Sequence, residues 1–314
     1  MVQIIHLARL SLNWRMPGDP MMDPEPIDVI MCTWNSNKLH FRKCLLSIKR
    51  EVDVHHFIVI DRYSSDGTLR VVRSVFPDAK VFQTTANLAT AQRIGIKYAD
   101  TTYLVLIDDD IEVSVGWFRK MISFIKGGKQ VAAVQGFTRY YPSYMDKPRL
   151  LDLGRRKGQV KEITDGAWTH DAVLMAEAVK DFNPRQITHS RGDFLMVQHV
   201  IKKGYKWFEM NQVQATHYRG SDRGFLGDLH KNFLKEKWNG ANDRFVRMHS
   251  SSCSRAIAPL LLNFLKTTLY FSKISIATSD PRISLLYLSG HFGYLKGFLS
   301  ANDNIVPYEL HTPS

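Results

Sequence analysis

Residues 87–110 read NLATAQRIGIKYADTTYLVLIDDD, which combines a helical pattern, an apolar strand and three consecutive aspartates. The apolar spacing of residues 89–99 predicts a helix, and the wholly apolar run 103–107 predicts a strand. An apolar run of this kind is typical of a strand buried on both faces, as in parallel sheets whose connecting helices cover them. The stretch therefore predicts an α/β domain with carboxylates at one edge of its sheet.

The alternation of strand and helix patterns continues on both sides of this stretch. Further strands are predicted at 27–32, 57–60, 79–83 and 131–134, and further helices at 39–49 and 68–76. Residues 140–158 are basic and show no regular pattern. A helix that ends near 203 and a short strand that ends at His217 follow. The order predicts a mostly parallel sheet, in which ligands bind beyond the carboxyl ends of the strands.

From residue 221 onward the pattern is helical, with apolar stretches at 256–271 and 283–299. The second stretch places Leu285, Leu288, Phe292, Leu295 and Leu299 on one stripe. Three interpretations stay open at this point. These helices pack on the preceding domain or in a dimer interface, they lie in a membrane interface, or they form a transmembrane pair.

The composition is that of an ordinary globular protein with a strong positive charge. The chain has 314 residues, 44% of them hydrophobic, and a formal net charge of +12, which excludes a disordered tail and favours an anionic partner. Nucleic acid, nucleotide phosphates and an acidic membrane surface all fit that charge. The three cysteines form no CxxC pair, and the sequence starts without a signal-peptide pattern, so a cytoplasmic location is expected.

The aspartates Asp108, Asp109 and Asp110 predict a cation site. Three adjacent carboxylates repel one another, and a hard divalent cation with oxygen ligands is a sensible way to keep them together. A solvated acidic turn or a helix N-cap is the alternative interpretation.

Four motifs in order resemble those of the family 2 inverting glycosyltransferases, which have the GT-A fold. They are IDVIMCTWN at 27–35, IVIDRYSSDGT at 58–68, the stretch 87–110, and THSRGD at 188–193 followed by Leu195. The resemblance covers about residues 27–220. It implies a nucleotide-binding half at 27–136 and an acceptor half at 137–220. From their residues, 1–26 are expected to form a loose extension and 221–314 a helical region that could associate with a membrane.

The resemblance also implies roles for individual residues. The positions that match the family's donor-binding residues are Thr33, Asn35, Asp61, Arg93, Asp108 and Asp109. The positions that match its metal site, for Mn²⁺ or Mg²⁺, are Asp108, Asp110 and His217. Asp193 matches the general base, and Arg191 or Arg219 would add positive charge near the diphosphate. Four positions depart from the family pattern: Arg62, Tyr63, Ile94 and Gly192.

Plainer interpretations of four of the polar and aromatic residues stay open. Asp193 could cap the following helix, and His217 could be a surface or core histidine. Trp168 could pack in the core or stack on a sugar, and Asp66 is expected to serve the turn before the helix at 68–76.

The expected function is metal-dependent inverting transfer of a sugar from a UDP- or GDP-sugar to a hydroxyl or phosphate. The acceptor would be a glycan or a polyprenyl-linked molecule, with peripheral contact to the cytoplasmic membrane face and no nucleic-acid partner. Three alternative functions stay open: a donor-binding relative without turnover, a nucleotidyltransferase, and a basic nucleic-acid-binding protein. No nucleic-acid-binding motif is present for the last of these.

Overall fold

A computed structural model describes residues 26–155, 160–164, 168–184, 192–220, 224–248 and 257–300. The strands of this part of the chain are β1 (Ile27–Thr33), β2 (Val54–Asp61), β3 (Lys80–Gln83), β4 (Tyr103–Ile107), β5 (Ile111–Val113), β6 (Val131–Tyr141), β7 (Val160–Ile163), β8 (Asp171–Met175) and β9 (Lys206–Tyr218). The helices are α1 (Phe41–Glu51), α2 (Thr68–Val75), α3 (Leu88–Tyr98), α4 (Trp117–Gly127), α5 (Ser143–Arg155), α6 (Ala176–Val179), α7 (Gly192–Lys202), α8 (Gly224–Met248), α9 (Ile257–Thr278) and α10 (Pro281–Ser300). The predicted extension at 1–26 lies outside the described residues except for its last position.

The described strands form one sheet in the order β3-β2-β1-β4-β8-β6-β9-β5, with β7 paired to β9. Strands β1 to β4 are mutually parallel, and β8 and β5 add antiparallel pairs. The predicted α/β class with a mostly parallel sheet and a helical C-terminal region is confirmed. Strand β6 runs through residue 136, where the sequence suggested a division, so one sheet connects the two predicted halves.

Helices cover both faces of the sheet, as the apolar strands require. One apolar cluster joins α1, α2 and α4 to the sheet, and the other joins α3, α6 and α7 to the opposite face. Helix α1 buries Phe41, Cys44, Leu45 and Ile48, which are the residues at its apolar spacing. Asn87 caps the N-terminus of α3, and its side chain accepts a hydrogen bond from the Thr90 amide at 3.0 Å.

Two segments differ from the sequence-based prediction. Residues 143–155, within the stretch that shows no pattern, form α5, in which Asp146 accepts hydrogen bonds from Arg139 and from the Tyr140 amide. Residues 111–127, where only a helix N-cap was considered, form β5 and then α4. Both segments also make long-range contacts. Strand β5 pairs with β9, and Tyr144 and Lys147 of α5 contact Asp228 and Asp280.

Helix α5 also joins the C-terminal helices to the sheet domain. The Tyr144 hydroxyl donates a hydrogen bond to Asp228 of α8, and Lys147 forms an ion pair of 2.8 Å with Asp280 before α10. Arg282 pairs with the same Asp280 and lies over the Tyr144 ring at 4.6 Å. These contacts, centred on the buried Tyr144, Asp228 and Asp280, join the helical region to the sheet domain.

Glycines let α8 and α10 pack backbone against backbone. A Cβ at Gly293 would lie 2.1 Å from the Phe233 carbonyl oxygen, and one at Gly297 would lie 1.8 Å from that of Lys237. Since α10 buries its glycine face, its predicted apolar stripe lies on other sides. Leu285, Phe292 and Leu299 are exposed.

Helix α9 also exposes apolar residues. Leu262, Leu265, Leu269 and Ile276 lie on one stripe and are between 53% and 79% exposed. Among the described residues, no helix has both the length and the apolar character needed to cross a membrane.

Candidate functional site

The carboxyl ends of β1, β2 and β4 meet at one edge of the sheet and bring three predicted motifs together. Thr33, the last residue of β1, pairs with Asp61, the last residue of β2. Asp108 follows β4 directly, and its amide donates a hydrogen bond to the His170 carbonyl oxygen at 3.0 Å. Parallel strands place these polar residues at the edge where ligands of open α/β sheets bind.

Asp61 organises the first two turns of this edge. The carboxylate is fully buried and accepts hydrogen bonds from Thr33 Oγ1, Gln83 Nε2, and both the amide and hydroxyl of Ser64. A carboxylate offers about four lone-pair positions, and these four bonds occupy them. Asp61 therefore holds Thr33 and the Ser64 turn in place, and its contact with a nucleoside stays a prediction.

Asn35 and Ser36 connect the first turn to the second and to the aspartates. Asn35 has a left-handed backbone, with φ of 47°, which asparagine tolerates better than most residues. Its amide donates to Ser64 Oγ at 2.8 Å, and its side chain accepts from the Ser65 amide. The Ser36 hydroxyl donates a hydrogen bond to Asp109. Asp109 is thus tied to the first turn, a contact that the motifs did not predict.

Four carboxylates surround that of Asp108. Desolvation raises the pKa of Asp108 well above its usual value, and the negative charges of Asp110, Asp193, Asp109 and Asp171 raise it further. Burial and the charge of Asp110 likewise raise the pKa of Asp109, to about 6. The three consecutive aspartates remain partly exposed, so a ligand can reach them. The predicted general base and the predicted metal ligands therefore belong to one site.

His217 lies against Asp110 because β5 pairs with β9. Ile111 is the register partner of His217, and the Tyr218 amide donates to the Asp110 carbonyl oxygen at 2.9 Å. His217 Nε2 is 3.1 Å from the Asp110 carboxylate. Burial lowers the pKa of His217, so its imidazole is neutral near pH 7. Burial alone would raise the pKa of Asp110, but the bond from His217 leaves it below the usual value.

The donor types at this edge suit a divalent cation, although the ligand atoms of Asp108, Asp110 and His217 do not all lie within 4.8 Å of one another. With the proton of His217 on Nε2, the buried Nδ1 carries a lone pair and has no hydrogen-bond partner. Carboxylate oxygens are the donors that Mn²⁺ and Mg²⁺ prefer, and Mn²⁺ also accepts a neutral imidazole. A cation would relieve the repulsion around Asp108. Asp108, Asp110 and His217 are the residues that would hold it.

Asp193 lies in the first turn of α7 and is held by a chain of hydrogen bonds. Thr169 Oγ1 donates to Asp193 Oδ1 at 2.6 Å and accepts from Gln92 Nε2 of α3 at 3.0 Å. Burial raises the pKa of Asp193, although the bond from Thr169 and the charge of Lys235 oppose the rise. A desolvated carboxylate of raised pKa is suited to accept a proton.

Gly192 explains one departure from the family pattern. A Cβ at this position would lie 2.8 Å from Ala89 Cβ at the start of α3. The close approach of α7 to α3 leaves no room for the glutamate that the family motif carries there. Arg191 and the rest of 185–191 lie outside the described residues.

Helix α8 contributes two lysines that the sequence motifs did not indicate. Lys231 and Lys235 are one turn apart, and they feel the charges of Asp110 and Asp193 respectively. Desolvation and the positive charge of Arg219 lower the pKa of Lys235 to about 8, and desolvation and Lys38 lower that of Lys231. Cations crowded together in this way suit a polyanion such as a diphosphate. Two lysines on an otherwise ordinary amphipathic helix carry no signal in the sequence alone.

Two further predicted residues are only partly explained by the structure. Arg93 is exposed on α3, and it is the neighbouring Gln92 that reaches the Asp193 network. Trp168 is 40% exposed, with its ring centroid 5.8 Å from that of His170. An exposed indole beside the acidic cluster fits a stacking surface better than core packing.

The fold and the site define a GT-A domain, and the comparison with solved structures agrees. A crystal structure of GalNAc-T7 with UDP, GalNAc and Mn²⁺ superposes with a TM-score of 0.51 and 12% identity, covering 71% of this chain and 51% of that one.

Sequence comparison relates this domain to a known family. Residues 28–181 match the sequence model of Glycosyl transferase family 2. The SPbeta prophage-derived glycosyltransferase SunS of Bacillus subtilis (strain 168), and glycosyltransferase SunS of Bacillus phage SPbeta, are each 29% identical to it over 103 residues. The match covers 32% of this chain and only 24% of either relative.

Proposed function

We propose that this protein is a metal-dependent inverting glycosyltransferase that takes its sugar from a nucleotide-diphosphate donor. The observation that carries the proposal is the convergence of Asp108, Asp110 and Asp193 at one edge of the sheet. The match of residues 28–181 to the family model and the name of the SunS relatives support glycosyl transfer. The UDP and Mn²⁺ in the GalNAc-T7 structure make that pair the first ligands to test.

Asp193 is the proposed general base. It accepts the proton of the acceptor hydroxyl while that oxygen attacks the anomeric carbon and the bond to the diphosphate breaks. Thr169 fixes one carboxylate oxygen by its hydrogen bond of 2.6 Å, which leaves the other oxygen for the acceptor. Attack from the side opposite the diphosphate inverts the anomeric configuration.

Positive charge on two sides stabilises the negative charge of the leaving diphosphate. Lys231 and Lys235 of α8, with Arg219, supply it from the protein. A divalent cation held by Asp108, Asp110 and His217 would act as a Lewis acid that stabilises the charge of the departing phosphate. Asn35 and Thr33 lie at the neighbouring turn, where we place the nucleoside.

We also propose that the acceptor is presented at an anionic membrane surface, as a polyprenyl-linked or surface glycan. The exposed stripe of α9 supports this, because Lys266 and Lys273, also exposed, flank its leucines. An apolar stripe with lysines beside it is the pattern of a helix that lies in the membrane interface.

A ligand panel followed by an assay of donor turnover tests the proposal. UDP, GDP and dTDP are added with Mn²⁺ or Mg²⁺, and one of them is expected to raise the melting temperature in a metal-dependent manner. The matching nucleotide sugar is then hydrolysed or transferred, and ¹H NMR of the product shows the inverted anomer. Turnover that survives EDTA and Asp110→Ala contradicts the proposal. Tight nucleotide binding without any turnover supports instead a donor-binding relative.

A further inference from the structure

A second cluster of potential ligands lies at the opposite edge of the sheet from the carboxylates. Asp28 of β1, His55 and His56 of β2, and Asp100 before β4 each offer one ligand atom, and these atoms all lie within 4.8 Å of one another. Among the described residues, no other group of three or more histidine, cysteine or acidic side chains has its ligand atoms this close together. Asp28 and Thr33 are five residues apart on β1, so about 16 Å of strand separates the two sites.

A β-bulge brings the two histidines to the same place. The register between β1 and β2 shifts between Ile27 and Val29, so two residues of β2 lie opposite Asp28. In a regular strand, His55 and His56 would point to opposite faces of the sheet. At the bulge their ring centroids are 3.8 Å apart. Bulges in parallel pairs are rare, and bulges in general re-aim side chains near functional sites.

Three of the distances between the ligand atoms are close to those around a tetrahedral ion, and all of them are below 4.8 Å. His56 Nδ1 is 3.1 Å from Asp28 Oδ1 and 3.5 Å from Asp100 Oδ1, and His55 Nε2 is 3.6 Å from the same Asp100 oxygen. A zinc ion with bonds of about 2.0–2.1 Å has its ligand atoms about 3.4 Å apart. Two imidazole nitrogens and two carboxylate oxygens are a donor set that Zn²⁺ accepts and Mg²⁺ does not favour.

The cluster has a rigid base and an open side. Asp28 is fully buried, and it accepts hydrogen bonds from the amides of His56, Asp100 and Thr101 at 2.7 to 3.3 Å. These bonds fix the carboxylate in the way that outer partners of metal ligands do. The side chains of His55 and Asp100 are 43% and 61% exposed, so an ion can enter from solvent.

We infer that Asp28, His55, His56 and Asp100 form a zinc site that is separate from the proposed sugar-transfer site. The ion would join β1, β2 and the segment before β4 at the amino edge of the sheet. Its function would be to stabilise the domain, because the site lies one strand length from the proposed chemistry.

Zinc binding to the full-length, EDTA-treated protein tests this inference. Isothermal titration with ZnCl₂ is carried out in excess Mg²⁺, which occupies oxygen-rich sites. The wild type and Asp110→Asn are expected to bind one zinc ion with equal affinity. In His55→Gln/His56→Gln the dissociation constant should rise at least about tenfold. Co²⁺ should give the intense visible bands of a tetrahedral site in the first two proteins and lose them in the third.

A second variant guards against misfolding. His55→Gln alone changes an exposed side chain, and it should fold as the wild type does by circular dichroism while it also loses affinity for Zn²⁺. Zinc should raise the melting temperature of the wild type, and this increase should shrink in both variants. Unchanged zinc affinity in both variants would overturn the inference and leave the His56–Asp28 contact as an ordinary hydrogen bond. Loss of zinc in Asp110→Asn instead would move the ion to the carboxylate site.

Discussion

His217 Nε2 lies 3.1 Å from the carboxylate of Asp110, although the two residues are 107 positions apart in the chain. The pairing of β5 with β9 creates this contact and leaves His217 Nδ1 buried without a hydrogen-bond partner. We therefore expect a divalent cation to stabilise the wild type. Mn²⁺ added to EDTA-treated protein should raise its melting temperature, and Asp110→Asn or His217→Gln should lose most of that increase.

Asp78→Asn is the matched control for this measurement. Asp78 is an exposed acid outside the site, so its variant should keep the full response to Mn²⁺. Equal responses in Asp78→Asn and Asp110→Asn would show that the ion binds elsewhere.

Replacement of Asp193 should separate catalysis from stability. Asp193→Asn removes the proposed base, and we expect kcat/KM to fall by about 10²- to 10⁴-fold. In the wild type, kcat/KM should fall on acidification with a midpoint above the ordinary aspartate pKa of about 3.9, because burial raises the pKa of Asp193.

The Asp193→Asn variant should also change how the free energy of unfolding depends on pH. A raised pKa in the folded state means that the contribution of Asp193 to stability is complete at low pH and is lost as pH rises through that pKa. Asp193→Asn should therefore be at least as stable as the wild type at pH 7 to 8, with no advantage near pH 3. Urea unfolding at these pH values measures the difference.

Asp181 is a control whose pKa is shifted in the opposite direction, so its effect on stability should have the opposite pH dependence. The hydrogen bond from Lys203 lowers the pKa of Asp181 to about 2, so its contribution is present above the ordinary pKa and is lost as pH falls toward 2. Asp181→Asn should be no more stable than the wild type at neutral pH and should keep its activity. An Asp193→Asn protein that is clearly less stable than the wild type at pH 8 would contradict the assignment of a strained, desolvated carboxylate.

The lysines of α8 should matter for binding of the diphosphate. We expect Lys231→Met/Lys235→Met to raise the dissociation constant of UDP or GDP, whichever binds the wild type, by about tenfold or more. The dependence of that constant on salt should weaken as well, because two charges near the phosphates are gone. Lys202→Met on α7 is an exposed control that should leave both quantities unchanged. A double variant that binds as the wild type does would remove these lysines from the site.

The stripe of α9 predicts attachment to anionic membranes. Sedimentation with vesicles of phosphatidylcholine and phosphatidylglycerol should carry the wild type down, and phosphatidylcholine alone should carry less. Leu265→Asp/Leu269→Asp should lower the bound fraction severalfold because it places charge on the apolar stripe.

Val115→Asp is the control for the vesicle experiment. Val115 is an exposed apolar residue far from the C-terminal helices in sequence, and its variant should bind vesicles as the wild type does. Retained binding of the leucine variant, or binding of the wild type that ignores lipid charge, would argue that the stripe serves another partner.

The glycines of α10 should tolerate no side chain. Gly297→Leu places atoms where the Lys237 backbone lies, and overpacking of this kind costs about 1–3 kcal/mol of the free energy of unfolding. Gly127→Ala, where no atom lies within 4 Å of the new Cβ, should leave stability unchanged or raise it slightly. Equal midpoints for the two variants in urea would contradict the close packing of α8 on α10.

Local patterns were enough to predict the first half of the fold. The strand at 103–107 and the helix that ends near residue 98 follow from apolar spacing alone, because each is decided by neighbours within one or two turns. The same is not true of α5 and β5. Helix α5 packs through the contacts of Tyr144 with Asp228 and of Lys147 with Asp280, and β5 pairs with β9.

The sequence by itself determined an α/β domain with the motifs of family 2 and its acidic cluster at the carboxyl edge of the sheet. Only the tertiary structure decided which residues complete that site and which surround the bulge at the other edge. The docking of α8 brings Lys231 and Lys235 within the electrostatic influence of Asp110 and Asp193. His55 and His56 share one face only because the pairing of β1 and β2 slips by one residue. Strand and helix patterns are local, whereas these contacts join residues that are far apart in the chain or depend on the register between strands. Their positions follow from packing that no window of sequence contains.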